Sequence, residues 1–148
     1  MTYRALIFDD EEEIRQILYS MFDTRGYEVF TFPHPETCPL SQEEQCPCPL
    51  QEACTDVILS DVNMPIKNGI DFLQEQIKKG CKCKHFALMS GTFTDEDLYK
   101  AKSLGIKIFK KPFKLEQVMD WLDQIEKDID PKRKLSDWFL GGQDPSSR

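Results

Sequence analysis

Short, continuous apolar runs alternate along the chain with longer stretches in which apolar residues return every three or four positions. Residues 5–8, 57–59 and 86–89 are apolar throughout, as strands covered on both faces must be. Residues 27–32 mix polar with apolar side chains and stop at Pro33, which is the pattern of an edge strand. Residues 107–111 supply the last candidate strand. Ile14, Ile17, Leu18, Met21 and Phe22 fall on one helical stripe that Gly26 ends. A further helix is predicted over residues 69–79, before Gly80. The next opens on Asp95, Glu96 and Asp97, carries Leu98, Ala101 and Leu104, and ends at Gly105. Leu115, Val118, Met119, Leu122, Ile125 and Ile129 stripe a closing helix that Pro131 terminates.

Strands alternating with helices predict an α/β sheet with helices on both faces. Crossover helices force the strands to run parallel through right-handed connections, so all strand C-termini gather on one edge. That places Asp9, Asp10, Asp61, Ser90 and Lys111 on the same rim, where open α/β sheets bind ligands. Acids, a hydroxyl and a lysine at successive strand ends are what magnesium-dependent phosphoryl transfer requires.

Composition narrows the setting. A chain of 148 residues, 40% hydrophobic, suits one domain with a real core, and no internal repeat is present. A net charge of -7 and a pI near 4.9 argue against a nucleic-acid surface, which needs a dense basic stripe. The apolar run at residues 5–8 is too short for a signal segment or a membrane span, and acids at 9–13 interrupt it. The cytoplasm is the expected compartment, where six cysteines are thiols or metal ligands rather than structural disulfides.

Four motifs occur in a fixed order: Phe8-Asp9-Asp10; Ser60-Asp61 with Met64-Pro65 and Gly69; Met89-Ser90-Gly91; and Lys111-Pro112-Phe113. Over residues 3–127 the chain resembles the receiver domains of bacterial two-component response regulators, and within them the single-domain chemotaxis type. The resemblance implies a flavodoxin-like sheet of five parallel strands in order 2-1-3-4-5. It implies that Asp61 accepts a phosphoryl group from the phosphohistidine of a sensor histidine kinase, and that a cis peptide before Pro112 aims Lys111. Magnesium is the expected cofactor, held by Asp10 and Asp61 directly, by Asp9 through water and by the backbone carbonyl of Asn63. Lys111 is the fixed cation for the transferring phosphoryl oxygens. Ser90 is the hydroxyl that moves to the new phosphate, a population shift read by an unknown downstream protein. The protein is expected to be a monomer or a phosphorylation-linked homodimer. It would act as a signalling protein that assists only its own phosphorylation and dephosphorylation.

Two departures from the family pattern stand out. The place of the family's switch aromatic, three residues before the lysine, holds Ile108. Phe109 follows it, and adjacent strand residues face opposite sides, so Phe109 is not expected to substitute. The second departure spans residues 33–55, where a Cys/Pro-rich stretch replaces or shortens the second helix. Pro39, Pro47 and Pro49 leave room for little more than a helical turn. Cys38, Cys46, Cys48 and Cys54 lie there, and Cys81 and Cys83 precede the fourth strand. Cys46, Cys48, Cys54, Cys81 and Cys83 form a candidate zinc set at the edge opposite the acids, with His34 as a further candidate ligand. Buried thiols or opportunistic disulfides are the alternative, and the spacing matches no standard finger.

The domain is expected over residues 1–130, with 131–148 as a tail too short for an output module. In that tail Trp138, Phe139 and Leu140 are expected to dock on the domain or on a partner. Plain readings stay open. Asp10 with Glu13 could form a helix cap and capping box, Lys111 could be an ordinary solvated lysine and Ser90 a plain turn residue, and Trp121 is expected to pack rather than bind. The competing function is a phosphorylation-independent adaptor on the same scaffold, anchored by its cysteines. A dehalogenase-type phosphatase is disfavoured, because Asp9-Asp10-Glu11 lacks the second acid of an Asp-x-Asp motif.

Overall fold

The computed structural model describes residues 2–35, 52–64 and 67–136. Five parallel strands form one sheet in the order β2-β1-β3-β4-β5, with β1 at Arg4–Phe8, β2 at Glu28–Phe32, β3 at Val57–Asp61, β4 at His85–Ser90 and β5 at Lys107–Lys110. Four helices accompany them: α1 (Glu12–Thr24), α2 (Gly69–Lys78), α3 (Asp95–Leu104) and α4 (Leu115–Glu126). The architecture and strand order are those the resemblance implies. The expected replacement of the second helix lies outside the described residues, apart from its flanks.

The apolar runs are continuous because each successive residue enters a different core. Ala5 and Ile7, Val57 and Leu59, and Ala87 and Met89 pack with Leu18 and Phe22 of α1 and with Val118, Trp121 and Leu122 of α4. Leu6 and Phe8, Ile58, and Phe86 and Leu88 pack on the other face with Ile70, Phe72 and Leu73 of α2 and Ala101 of α3. Trp121 is therefore a packing residue. Ile108 joins the second of these cores and Phe109 the first, where its ring meets those of Phe113 and Trp121. The opposite-face expectation for Phe109 holds.

Helix ends follow local chemistry. Thr94 and Asp97 form a capping box on α3, and Gly105 closes it in the left-handed conformation at φ 71°. At α1 the plain alternative of a capping box from Asp10 and Glu13 is not realised: the N-cap is Glu11, without a side-chain cap bond, and Asp10 precedes it at the rim. The last helix stops at Glu126, short of the apolar stripe read to Ile129. A turn carries the chain on through the Asp128 N–H to Ile125 bond, and Ile129 still buries its side chain. Beyond residue 130, where the domain was expected to end, the chain stays on the body as far as Ser136. Trp138, Phe139 and Leu140 lie outside the described residues. Among those described, no helix is long and apolar enough to cross a membrane.

Candidate functional site

Parallel register brings the expected residues to one rim. Phe8 pairs with Ser60, Asp61 with Met89, and Ser90 with Lys110, so Asp9, Asp61, Ser90 and Lys111 stand at four neighbouring strand ends. Backbone bonds extend the pairing just past the strands: Asp9 N–H donates to Phe32, Val62 N–H to Met89, and Lys111 N–H to Ser90, at 3.1, 2.9 and 2.8 Å. The Lys111–Pro112 peptide is cis, as the resemblance implies.

Carboxylate oxygens of Asp9, Asp10 and Asp61 lie within 4.8 Å of one another. Asp9 and Asp61 are buried while Asp10 faces solvent. Lys111 Nζ bridges the two buried acids, 3.2 Å from Asp9 Oδ2 and 3.4 Å from Asp61 Oδ1. Burial and the neighbouring Asp9 charge push the Asp61 carboxyl up to about 6, against the pull of Lys111. Burial likewise raises Asp9, although the Glu11 N–H and Lys111 oppose it. Burial works against the Lys111 ammonium, but Asp9 and Asp61 outweigh it and hold the lysine above its usual range. Among the described residues the notch is therefore short of positive charge: three acids meet there, and Lys111 bridges two of them. A hard divalent cation with oxygen preference fits that donor set, and magnesium commonly takes one or two carboxylates plus phosphate oxygens.

Ser90 is fully buried at the end of β4. Its hydroxyl donates to the Thr92 carbonyl at 2.9 Å and accepts from the Thr92 N–H at 3.1 Å and from Asn63 Nδ2 at 3.2 Å. All three contacts are to loop residues, and the single hydroxyl proton is engaged by the Thr92 carbonyl.

Several contributors were not visible as such in the sequence. Arg15 on α1 donates through Nη1 to the Asp9 carbonyl at 2.7 Å, and the Glu11 N–H donates to Asp9 Oδ1 at 2.9 Å, so Asp9 is held at both ends. Nothing in the acidic stretch around Arg15 signals that contact. Gly69 belongs to the motif set, but its reason is spatial: a Cβ there would lie 2.0 Å from the Asp61 carbonyl oxygen. α2 thus starts directly against the backbone of Asp61, with Gly69 N–H bonded to Val62 at 2.9 Å.

The zinc set does not assemble among the described residues. There the acid cluster is the only group of three or more potential ligands this close together, so Cys54, Cys81 and Cys83 do not by themselves make a metal centre. Each belongs to or borders the apolar core beneath α2, and Cys83 Sγ–H points at the Asp56 carbonyl, 3.5 Å away. Cys38, Cys46 and Cys48 lie outside the described residues.

Comparison with known proteins converges on one answer. The family described as response regulator receiver domain matches residues 5–123. The chemotaxis protein CheY of Thermotoga maritima is 27% identical over 128 residues, covering 86% of this chain and all of that protein. The Vibrio cholerae chemotaxis protein CheY4 superposes with a TM-score of 0.67 at 27% identity, covering 84% of this chain and 99% of that one. The non-phosphorylated HemR receiver domain of Leptospira biflexa shares the fold, with a TM-score of 0.68 at 22% identity over 87% of this chain and 98% of its own. With its motifs gathered on one sheet rim and the family match spanning most of its length, the chain belongs to the response regulator receiver domains, signalling modules of two-component systems.

Proposed function

We propose that Asp61 accepts a phosphoryl group from the phosphohistidine of a sensor histidine kinase, in a notch that holds magnesium, and that the modified domain is read by a protein partner. The observation that carries this reading is the convergence of three carboxylates and one ammonium from separate segments of the chain, with Lys111 touching both buried acids.

Asp61 is the acceptor because it ends a central strand and is fixed from below by sheet pairing and from the side by Gly69. One of its oxygens forms the new P–O bond while the donor's P–N bond breaks. Lys111 already lies between Asp9 and Asp61, so its ammonium needs only a small displacement to meet the phosphoryl oxygens as charge gathers there. Asp10 and Asp61 would hold magnesium directly, Asp9 through water, and the Asn63 carbonyl would complete the protein's share. When bound, the ion offsets repulsion among the acids and between them and the incoming phosphate. Afterwards the Asp61 acyl phosphate, with nearly two negative charges, offers Ser90 an acceptor stronger than the Thr92 carbonyl. Ser90 then trades its loop bonds for the phosphate, and the β4–α3 loop follows.

The switch in this chain would work without the usual aromatic. Ile108 occupies that place, while Phe109 is locked between Trp121 and Phe113 on the other face. The test is exposure to acetyl phosphate with magnesium, followed by intact mass. A single labile phosphate, absent from Asp61→Asn and from protein kept in chelator, is the expected result. No incorporation at all would replace this reading with the phosphorylation-independent adaptor.

A further inference from the structure

The edge of the sheet opposite the acids carries a second ionic centre that phosphoryl transfer does not use. Asp56, immediately before β3, is 6% exposed, and Arg4, which opens β1, is 7% exposed. Asp56 Oδ2 accepts the Arg4 backbone N–H at 2.9 Å, and the Asp56 N–H donates to the Arg4 carbonyl at 3.1 Å. Thr55 Oγ1–H donates to the same carbonyl at 2.9 Å. The starts of the two strands that deliver the acids are thus tied through one buried carboxylate.

Its counter-charge comes from the far end of the chain. Arg133 grips Asp56 with two prongs, Nε to Oδ1 at 2.6 Å and Nη2 to Oδ2 at 2.5 Å. Nη2 also donates to the Thr2 carbonyl at 3.0 Å, and the guanidinium lies over the Tyr3 ring, 5.5 Å from its centroid. The bond to Asp56 raises the Arg133 pKa above its usual value, against the effect of burial. Three residues on, the Ser136 N–H donates to the Ala53 carbonyl at 2.7 Å and its carbonyl accepts Arg4 Nη1 at 3.2 Å. Arg4 Nη1 also reaches the Cys54 carbonyl at 2.9 Å. Residues 131–136 therefore run as a strap across residues 2–4 and 53–56, and form one wall of a cleft shared with Lys84, His85 and Asp128.

We propose that this strap is a latch: Arg133 is its bolt, Asp56 its socket, and residues 2–4, 53–56 and 131–136 open together as one local unit while the rim that carries Asp61 stays closed. A buried carboxylate stripped of its partner is strongly unfavourable, so the open state must hydrate Asp56, which requires the strap to lift. Among the described residues Arg133 alone joins the strap to Asp56, Thr2 and Tyr3 at once, so its side chain governs the unit, while Arg4 and the Ser136–Ala53 bond hold the end of the strap. Strand β3 spans the sheet between the two centres, its five residues are buried, and Val57 to Ser60 are paired on both sides, so opening at one end need not reach the other.

Amide hydrogen exchange on the full-length protein tests this without reference to phosphate. In the wild type the Ser136 and Asp56 amides should be protected together. In Arg133→Met both should exchange at least about tenfold faster, while the amides of Leu59 and Met89 should change far less. Adding Asp56→Asn to Arg133→Met should restore part of the lost protection, because the socket no longer holds an uncompensated charge. Acetyl-phosphate labelling should be the same in all three proteins, which separates a failure of the latch from a failure of the phosphoacceptor assignment. An unprotected Ser136 amide in the wild type, equal acceleration at Leu59 and Ser136 in the variant, or no rescue in the double variant would each overturn the latch.

Discussion

Replacing Gly69 with alanine sets two effects of opposite sign against each other at one atom. Inside an ordinary helix the change favours folding by about 1 kcal/mol, through lower chain entropy and better propensity. Here the new methyl carbon would sit 2.0 Å from the backbone oxygen of Asp61, 2.9 Å from its carbonyl carbon and 2.9 Å from Ser60 Oγ. Ordinary contact begins near 3.4 Å, so the oxygen falls short by 3.4 − 2.0 = 1.4 Å. The atom in the way is backbone and cannot rotate aside. Either the first turn of α2 slides outward, stretching the Gly69 N–H bond to Val62, or the Asp61 peptide turns. Overpacking of this kind costs about 1–3 kcal/mol, and a lost buried hydrogen bond roughly another 1. After the propensity gain, the net is a loss of about 1–3 kcal/mol. With a urea slope of about 1–3 kcal/mol per molar, the unfolding midpoint should fall by roughly 1 M. Acetyl-phosphate labelling should fall with it, because Asp61, the proposed acceptor, is displaced. Gly80→Ala is the control. Gly80 has φ 86° and nothing within 4 Å of an added Cβ, so it should lose stability through backbone strain alone and keep its labelling rate. A Gly69→Ala protein as stable as the parent would refute the close approach of α2 to Asp61.

Two further outcomes follow from the charges in the notch. Asp61 holds its proton up to about pH 6 in the folded, metal-free protein, whereas the unfolded chain releases it near 3.8. The folded state thus binds the extra proton between those values, and stability falls as pH rises through that window. Asp61→Asn in chelator should accordingly be more stable than the parent at pH 8, by up to about 3 kcal/mol, since each tenfold change in proton affinity is worth about 1.4 kcal/mol. The gain should vanish below pH 4, and a denaturation series showing a pH-independent difference would sink the idea. Lys111→Met should slow acetyl-phosphate labelling by about a hundredfold or more, the scale of one lost electrostatic stabiliser. Magnesium should still bind, as read by its effect on the melting temperature; labelling at the parent's rate would remove Lys111 from the chemistry.

The elements and the rim were legible in the chain because their signals are local or additive along it. Continuous apolar runs at β1, β3 and β4 report two-sided burial directly, and parallel strands with crossover helices leave only one edge for Asp9, Asp61, Ser90 and Lys111. Helix ends were read well at Gly26, Gly80 and Gly105, where a single residue type carries the turn. Reading was poorer where apolar spacing continued past the last helical bond: Ile129 keeps the stripe, yet the helix stops at Glu126 and the residue is buried from a turn instead. The choice between a helix cap and a rim acid for Asp10, open on local pattern alone, falls to the rim, since Asp10 stands beside the other acids and Glu11 is the cap residue.

Contacts between distant segments were beyond that reading. Arg133 is one basic residue among several in a polar stretch, and nothing along the chain says that its guanidinium ends on Asp56, 77 residues away. Nor does composition reveal that Arg15 braces the Asp9 carbonyl or that Asn63 reaches Ser90. The amino-acid order by itself determined the alternation of strands and helices, the edge on which the acids meet and the face each apolar residue takes, because backbone periodicity and handedness act residue by residue. Only the tertiary structure decided which charges compensate one another, how closely α2 approaches Asp61 and where the C-terminal strap lies. Those depend on distances of a few tenths of an ångström between groups that the chain brings together only after it has folded.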